Sequence, residues 1–194
     1  MKPGFLFLFL AIAFLSCRKT NPLPNPVKAP EMHHIDLKDS VIAWNKAAFF
    51  DFDGNGTKDI YFATVLVGDP VYQQDKWQWV ITSSFYTNLP VNAEEKIPVL
   101  IKSASIPVQN FQGFSWYNAS SVILAQKIIG VAGPVYWLGD WKNAVHQFIP
   151  FQVIRQEGLF NGWIEVSFET NEEKLVLHKA AISKEANRDT RAGE

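Results

Sequence analysis

Cysteine is the scarcest residue type in this chain, since Cys17 is the only cysteine among 194 residues. A single cysteine excludes an internal disulfide, so packing or a bound group must stabilise the fold. Charge is also sparse: 19% of the residues are charged, and the formal net charge is −1. Because there is no basic excess, the composition excludes nucleic acid as a partner.

Several catalytic motifs are missing as well. The sequence contains no Gly-x-Ser-x-Gly, no His-Glu-x-x-His and no glycine-rich phosphate loop. The sequence is instead rich in apolar residues, with 47% hydrophobic and 14% aromatic residues. This composition predicts one folded domain with a sizeable core and excludes extensive disorder.

The only long apolar run lies at the start of the chain. Phe5 to Leu15 is uninterrupted, follows Lys2 and precedes the small residue Ser16. As a helix the run would span roughly 16 Å, half of a ~30 Å hydrocarbon core, so it is too short for a permanent membrane span. A basic start, a short apolar middle and a small residue predict an export signal at residues 1–16.

The end of that signal refines the predicted location. Phe14-Leu15-Ser16-Cys17 resembles the lipobox of bacterial lipoproteins, although Phe14 stands where Leu is common. The resemblance implies that Cys17 is lipidated and anchors the protein to a membrane of the bacterial cell envelope, at the outer membrane or cell surface. The alternative is an ordinary secreted protein that keeps a free thiol at Cys17.

A proline-rich stretch follows the lipobox. Prolines at positions 22, 24, 26 and 30 favour extended polyproline II and exclude helix or sheet. We therefore predict that residues 17–34 comprise the lipidated cysteine and a semi-rigid tether. The domain itself is expected at 35–183, and the charged segment 184–194 is expected to be a flexible tail.

From Ile35 onward, short β-rich runs alternate with turn signals, which predicts an all-β fold. In Trp163–Phe168 the apolar residues Ile164, Val166 and Phe168 alternate with polar ones, as in a strand with one buried face. Ser121–Ile129 suits a strand or one short helix. The spacing of the runs predicts an antiparallel sandwich or a jelly-roll-like barrel. Asn161–Val166 is also similar to a strand of uncharacterised secreted bacterial β-modules.

The sharpest chemical pattern lies at residues 51–59, Asp-Phe-Asp-Gly-Asn-Gly-Thr-Lys-Asp. Oxygen-bearing side chains at loop positions one, three, five and nine can converge on a hard cation, and glycine at position six permits the tight turn. Oxygen donors without His or Cys favour Ca²⁺. The predicted ligands are the side chains of Asp51, Asp53, Asn55 and Asp59 and the backbone carbonyl of Thr57.

This loop resembles the DxDxDG calcium loops of EF-hands, dockerins and FG-GAP repeats. Phe62 replaces the bidentate Glu of the EF-hand, and a strand-like run follows, so the FG-GAP loop is the closer likeness. The resemblance covers about twelve residues and implies ligand roles rather than a fold. The alternative is a polar hairpin turn without an ion.

Aromatic residues supply a candidate ligand surface. Trp137 and Trp141 lie in turn-rich segments, where exposed rings could stack on a flat ligand such as a sugar. The alternative is that they belong to the core. Glu165 and Asp140 could form a carboxylate pair for glycan hydrolysis, although their spacing in the sequence does not indicate that the two side chains meet in the fold.

These patterns favour an envelope-anchored, calcium-stabilised binding or accessory module over an enzyme. Its expected partners are the membrane, through the N-terminal lipid, and a glycan or envelope protein. The alternatives are a glycan-active hydrolase of jelly-roll type and a structural subunit of an envelope complex.

Overall fold

The computed structural model describes residues 28–118 and 120–194, which form an all-β fold. In chain order the strands are β1 (Met32–Ile42), β2 (Ala48–Phe50), β3 (Ile60–Asp69), β4 (Gln74–Ser83), β5 (Thr87–Val91), β6 (Ser105–Ile106), β7 (Ser115–Asn118), β8 (Ser121–Gly130), β9 (Tyr136–Leu138), β10 (Gln147–Arg155), β11 (Gly158–Glu169), β12 (Lys174–Ser183) and β13 (Thr190–Arg191). Within the described ranges no residue is helical.

Two antiparallel sheets pack face to face as a sandwich. One has six strands in the order β1-β12-β11-β10-β5-β7, and the other has five in the order β2-β3-β4-β8-β9. The predicted all-β, antiparallel sandwich is therefore confirmed, and the sheets do not close into a barrel. In the part of the chain with assigned structure, no helix is long and apolar enough to cross a membrane.

The core forms between the inner faces of the two sheets. The predicted alternation in β11 is confirmed, because Ile164, Val166 and Phe168 all belong to this core. The five-stranded sheet contributes Trp79, whose ring meets Phe168 edge-on with centroids 5.2 Å apart. Burial of such large side chains contributes about 1.5–3 kcal/mol each, so packing is the main source of stability.

The segment Ser121–Ile129 is strand, not helix. It forms most of β8, which pairs with β4 on one side and with β9 on the other. The short β9 covers only part of the outer edge of β8, with pairs from Gln126 to Ile128. Sheet pairing supplies backbone hydrogen bonds to this segment and so overrides the helical preference of Ala125-Gln126-Lys127.

The C-terminal segment 184–194 is ordered, contrary to the prediction of a flexible tail. β13 pairs with β6, and this small sheet covers part of the outer face of the six-stranded sheet. Ala192 is fully buried there beside Trp163, whose indole N–H donates to the backbone carbonyl of Glu194. The tail folds because Trp163 leaves an apolar surface on that outer face, and β6 and β13 cover it.

The N-terminal boundary of the domain also differs from the prediction. β1 begins at Met32, within the predicted tether, because Met32 pairs with Ser183 of β12. His34, expected at the end of the tether, packs against Trp163 on the outer face. The predicted signal peptide, Cys17 and the tether up to residue 27 lie outside the described residues.

Candidate metal centre

The predicted metal loop, residues 51–59, connects β2 to β3 at one end of the sandwich. The backbone N–H of Asp59 donates to the carbonyl of Phe50 at 2.8 Å, which closes the loop at its base. Phe52 is buried and stacks on Phe151 of β10, in the opposite sheet. The loop is therefore anchored in the core and lies between both sheets.

Asp51 organises the backbone of the loop. Its carboxylate accepts hydrogen bonds from the backbone N–H groups of Gly54 at 2.7 Å and Gly56 at 2.8 Å. Desolvation is the largest single effect and by itself would raise the pKa of Asp51, but the hydrogen bonds within the loop, first those from the N–H groups of Gly56 and Gly54, together hold the pKa below its usual value. Both glycines have positive φ, at 73° and 87°, which favours glycine at these positions.

Asp59 is the buried member of the loop, with 2% of its surface exposed. One carboxylate oxygen accepts from the backbone N–H of Phe52 at 2.7 Å, and the other accepts from the hydroxyl of Thr87 at 3.2 Å. Burial raises the pKa of Asp59, and the nearby charge of Asp53 raises it further. A cation at this position would stabilise the ionised form.

Asp53 joins the loop to the other sheet. Its Oδ2 accepts from Nε of Arg155, the last residue of β10, at 2.9 Å, and from the Asn55 side-chain amide at 2.9 Å. The Asp53 carboxylate is almost fully shielded from solvent, while Arg155 remains about one third exposed. The Arg155 guanidinium also lies 4.5 Å from the ring centroid of Phe160, which holds it in place.

Three carboxylates thus converge at the centre of the loop. One oxygen from each of Asp51, Asp53 and Asp59 lies within 4.8 Å of the others, so the group could hold a metal ion. With Arg155 included, three carboxylates and one guanidinium leave a formal charge of −2, which matches a divalent cation.

The two remaining predicted ligands, Asn55 and Thr57, are exposed residues of the same loop. The side-chain oxygen of Asn55 accepts from the Thr57 backbone N–H at 2.7 Å. That oxygen is therefore already committed to a turn within the loop. An ion that recruited Asn55 would have to compete with this bond.

Contacts to the loop from distant strands could not be predicted from the sequence. Thr87, Phe151 and Arg155 all contact loop residues from the six-stranded sheet. No local spacing indicated them, because Arg155 and Asp53 are 102 positions apart in the chain.

The predicted aromatic ligand platform is not formed. Trp141 is 1% exposed and belongs to the core, so the prediction that its ring is accessible is wrong. Trp137 is half-buried and packs against Trp79 and Phe168, with ring centroids 5.3 and 5.4 Å away. Both rings turn inward because the turn-rich segment after β8 folds over an edge of the sandwich core.

The candidate carboxylate pair is also separated. Asp140 follows β9 of the five-stranded sheet and pairs with Lys96 at 3.6 Å. Glu165 lies in β11 of the other sheet and contacts His146 at 2.8 Å. These different surroundings give no support to a glycosidase pair made of Glu165 and Asp140.

Among the predicted sites, the group of Asp51, Asp53 and Asp59 therefore has the best geometry in the described structure. It combines a shielded, negatively charged set of oxygen atoms with backbone hydrogen bonds that fix their orientation. No protein-family model, curated protein or solved structure matches this chain.

Proposed function

We propose that this protein is an envelope-anchored, calcium-stabilised binding or accessory module. The observation that carries the proposal is the convergence of Asp51, Asp53 and Asp59 at a loop that contacts both sheets. An ion bound there would fasten one end of the sandwich. Its role in this proposal is structural rather than catalytic.

Calcium is the cation that the donor set favours. All the donors are oxygen atoms, which suit a hard cation, and the predicted coordination mixes carboxylates with amide and backbone oxygens. The formal charge of −2 would be neutralised by one Ca²⁺. Magnesium is disfavoured because it demands near-ideal octahedral geometry and gives up its water reluctantly.

A ligand surface next to the loop supports the binding role. The backbone N–H of Ser84 donates to the carbonyl of Asp59 at 2.7 Å, so the turn after β4 is attached to the metal loop. That turn presents Phe85, which is 69% exposed, and its neighbour Tyr86. Exposed aromatic rings stack on sugars and other flat ligands, so we assign ligand contact to this turn in place of Trp137 and Trp141.

The envelope location is supported by the sequence. Residues 1–16 have the pattern of an export signal, and Cys17 follows a lipobox-like tripeptide. A tether of prolines would hold the domain away from the membrane surface. In this arrangement calcium outside the cytoplasm would saturate even a site of modest affinity.

Two measurements on residues 18–194 test the proposal. Calorimetry with Ca²⁺, with Mg²⁺ and after chelation should show one calcium site and little heat from magnesium. A screen of glycans and envelope proteins in the presence of calcium should then give a ligand whose binding weakens in Phe85→Ala and Tyr86→Ala.

The control for the screen is Phe49→Ala, since Phe49 is also exposed but packs on Tyr61 outside this turn. Absence of calcium binding at millimolar concentration would contradict the proposal. So would a ligand whose affinity is unchanged in both turn variants.

A further inference from the structure

A chain of hydrogen bonds joins three side chains on the outer face of the six-stranded sheet. Oγ of Ser167 in β11 lies 2.9 Å from Nε2 of His178 in β12. Nδ1 of the same histidine lies 2.6 Å from Oδ1 of Asp39 in β1. Serine, histidine and aspartate are therefore connected in the order that lets a histidine act as the base for a serine hydroxyl.

For a neutral His178 ring, the hydrogen-bond partners assign which nitrogen carries the hydrogen. An ionised Asp39 carboxylate only accepts, so Nδ1 of His178 carries a hydrogen and Nε2 of the neutral ring is an acceptor. The Ser167 hydroxyl must then donate to Nε2. Its oxygen accepts from the backbone N–H of His146 at 3.0 Å, which leaves the hydroxyl hydrogen free for His178.

A β-bulge places His178 on this face. Leu177 and Ala180 both point into the core, although a regular strand would send residues three apart to opposite faces. The register between β11 and β12 shifts at this point, so His178 and Lys179 both lie on the outer side. Bulges of this kind re-aim a side chain and are frequent next to active sites.

Unusual backbone conformations surround His178. Lys38 and Asp39 have φ of 55° and 50°, where β1 also shifts its register against β12. His146 has φ of 49°, and its ring stacks on His178 with centroids 4.4 Å apart. Such conformations cost of order 1 kcal/mol each and cluster at functional sites, because the surrounding structure must maintain them.

His146 forms one wall of the cluster and has its own carboxylate partner. Its Nδ1 lies 2.8 Å from Oε1 of Glu165, which orients the ring against His178. Its backbone N–H donates to Oγ of Ser167 and so holds that oxygen in place beside Nε2 of His178.

We propose that Ser167, His178 and Asp39 form a nucleophilic site that cleaves carboxylic esters of small acyl groups. Asp39 is 74% exposed and His146 is 60% exposed at the side chain, whereas His178 is 17% exposed and Ser167 is half-buried, so the flanks of the cluster face solvent and its reacting atoms are partly covered. A partly covered serine on a face with exposed flanks suits a small acyl group carried on a large molecule, so the substrate class in this proposal is a short acyl ester such as an acetyl group on a polysaccharide.

The reaction has two balanced steps. Oγ of Ser167 attacks the ester carbonyl carbon while its proton moves to Nε2 of His178, and the alcohol leaves with that proton. Water then attacks the acyl-serine, gives one proton to His178 and releases the acid as the proton returns to Ser167. The net change is ester and water to acid and alcohol. Asp39 is a positioning residue that holds His178 in the required tautomer.

Fluorophosphonate labelling of the full chain tests whether Ser167 is nucleophilic. We expect the label on Ser167 and a rate reduced by at least about tenfold in His178→Gln, since the base that activates the serine is removed. The matched control is Ser121, a strand serine whose hydroxyl contacts Thr82 rather than a histidine. Labelling of Ser167 no faster than of Ser121 would overturn the proposal.

Hydrolysis of p-nitrophenyl acetate tests turnover and the role of Asp39. Ser167→Ala should abolish the enzymatic rate, and Asp39→Asn should lower kcat about tenfold with KM unchanged, less than in a buried triad because Asp39 is exposed to water. Asp39→Glu should recover part of kcat, which a merely structural role would not produce. A rate unchanged in Ser167→Ala would refute the site.

A third variant keeps the test valid if Ser167→Ala folds poorly. In a background carrying Cys17→Ser, Ser167→Cys should be alkylated by iodoacetamide several times faster with His178 present than with His178→Gln, because the histidine assists formation of the thiolate. Equal alkylation rates would count against the proposal. The site is independent of the calcium loop, so calcium removal should leave these rates unchanged in folded protein.

Discussion

Phe52 stacks on Phe151 across the sandwich, with ring centroids 4.7 Å apart and an angle of 29° between the ring planes. Phe52 lies between Asp51 and Asp53, so the side chain that enters the core belongs to the same loop as the candidate metal ligands. The loop and the core are therefore coupled. A change at either one should be measurable at the other.

The first prediction concerns that coupling. Phe52→Ala should lower the free energy of unfolding by about 3–5 kcal/mol, because it leaves a cavity against Phe151. It should also weaken calcium binding, since the flanking aspartates lose their anchor. Thermal unfolding and calcium titration check both effects. Phe49→Ala, on the exposed side of β2, is the control and should change each by far less; equal effects would show that Phe52 is not an anchor.

The second prediction concerns the buried carboxylate. Asp59→Asn should raise the melting temperature of the calcium-free protein, because burial disfavours the charged form and three carboxylates repel one another. The amide can still accept from Phe52 and donate to Thr87. The same variant should lose the stabilisation by calcium. In the wild type, calcium should raise the free energy of unfolding by about 2.7 kcal/mol at a hundredfold excess over Kd.

Asp36→Asn is the control for Asp59→Asn, since Asp36 is an exposed aspartate in β1 and its oxygen accepts a local backbone N–H from Lys38. Its response to calcium should equal that of the wild type. Retention of the calcium response in Asp59→Asn would show that the charge of Asp59 is not needed for calcium binding.

The third prediction follows from the opposite pKa directions in the loop. The pKa of Asp59 is raised on folding, so its contribution to calcium-free stability is present at low pH and is lost as the pH rises through the raised value. The contribution of Asp51, whose pKa is lowered, is instead lost as the pH falls through the lowered value.

Comparison of the wild type with Asp59→Asn measures the Asp59 contribution together with its repulsion from the neighbouring carboxylates, while Asp51 is present in both proteins. As the pH rises from about 4 through the raised pKa of Asp59, the stability advantage of Asp59→Asn should grow. Calcium-free melting curves at several pH values measure the difference. An advantage that stays constant over this range would mean that folding does not perturb Asp59.

The fourth prediction concerns Arg155. Arg155→Gln should lower calcium-free stability, since Asp53 would lose its cationic partner while remaining shielded from solvent. It should also enlarge the stabilisation by calcium, because the ion would then face a more negative group. Melting temperatures with chelator and with calcium check both signs. Arg191→Gln, at an arginine that contacts the carbonyl of Ser103, should change neither.

The fifth prediction concerns the anchor. If Cys17 is lipidated, labelled fatty acid should enter the full chain in a bacterial host, and Cys17→Ala should release the protein to the soluble fraction. Fractionation and mass spectrometry of the N-terminal peptide measure this. A mature form with unmodified Cys17 would favour the secreted alternative.

The sequence by itself determined features that depend on neighbouring residues. Alternation in β11 predicted its buried face, because side chains of a strand alternate between two environments. The spacing of Asp51, Asp53 and Asp59 predicted that their oxygen atoms could meet, because the loop is only nine residues long. Both inferences need only local backbone geometry.

Features that depend on distant contacts were decided by the tertiary structure. Trp141 looked accessible in a turn-rich segment, yet it is buried in the core. The charged tail looked unstructured, yet β13 covers the outer face beside Trp163. Burial in each case depends on which surface lies opposite, and composition carries no information about that surface.

The same reason explains why the sequence indicated the metal loop but not the cluster of Ser167, His178 and Asp39. The metal loop is contiguous in the chain, so spacing indicated most of it, whereas Ser167, His178 and Asp39 come from three strands and meet only through sheet pairing. Two register shifts bring them together, and a register shift is set by the hydrogen bonds and packing of whole strands. Sequence therefore determined the oxygen-rich loop and the strand faces, while the pairing of β1, β12 and β11 decided which polar side chains meet.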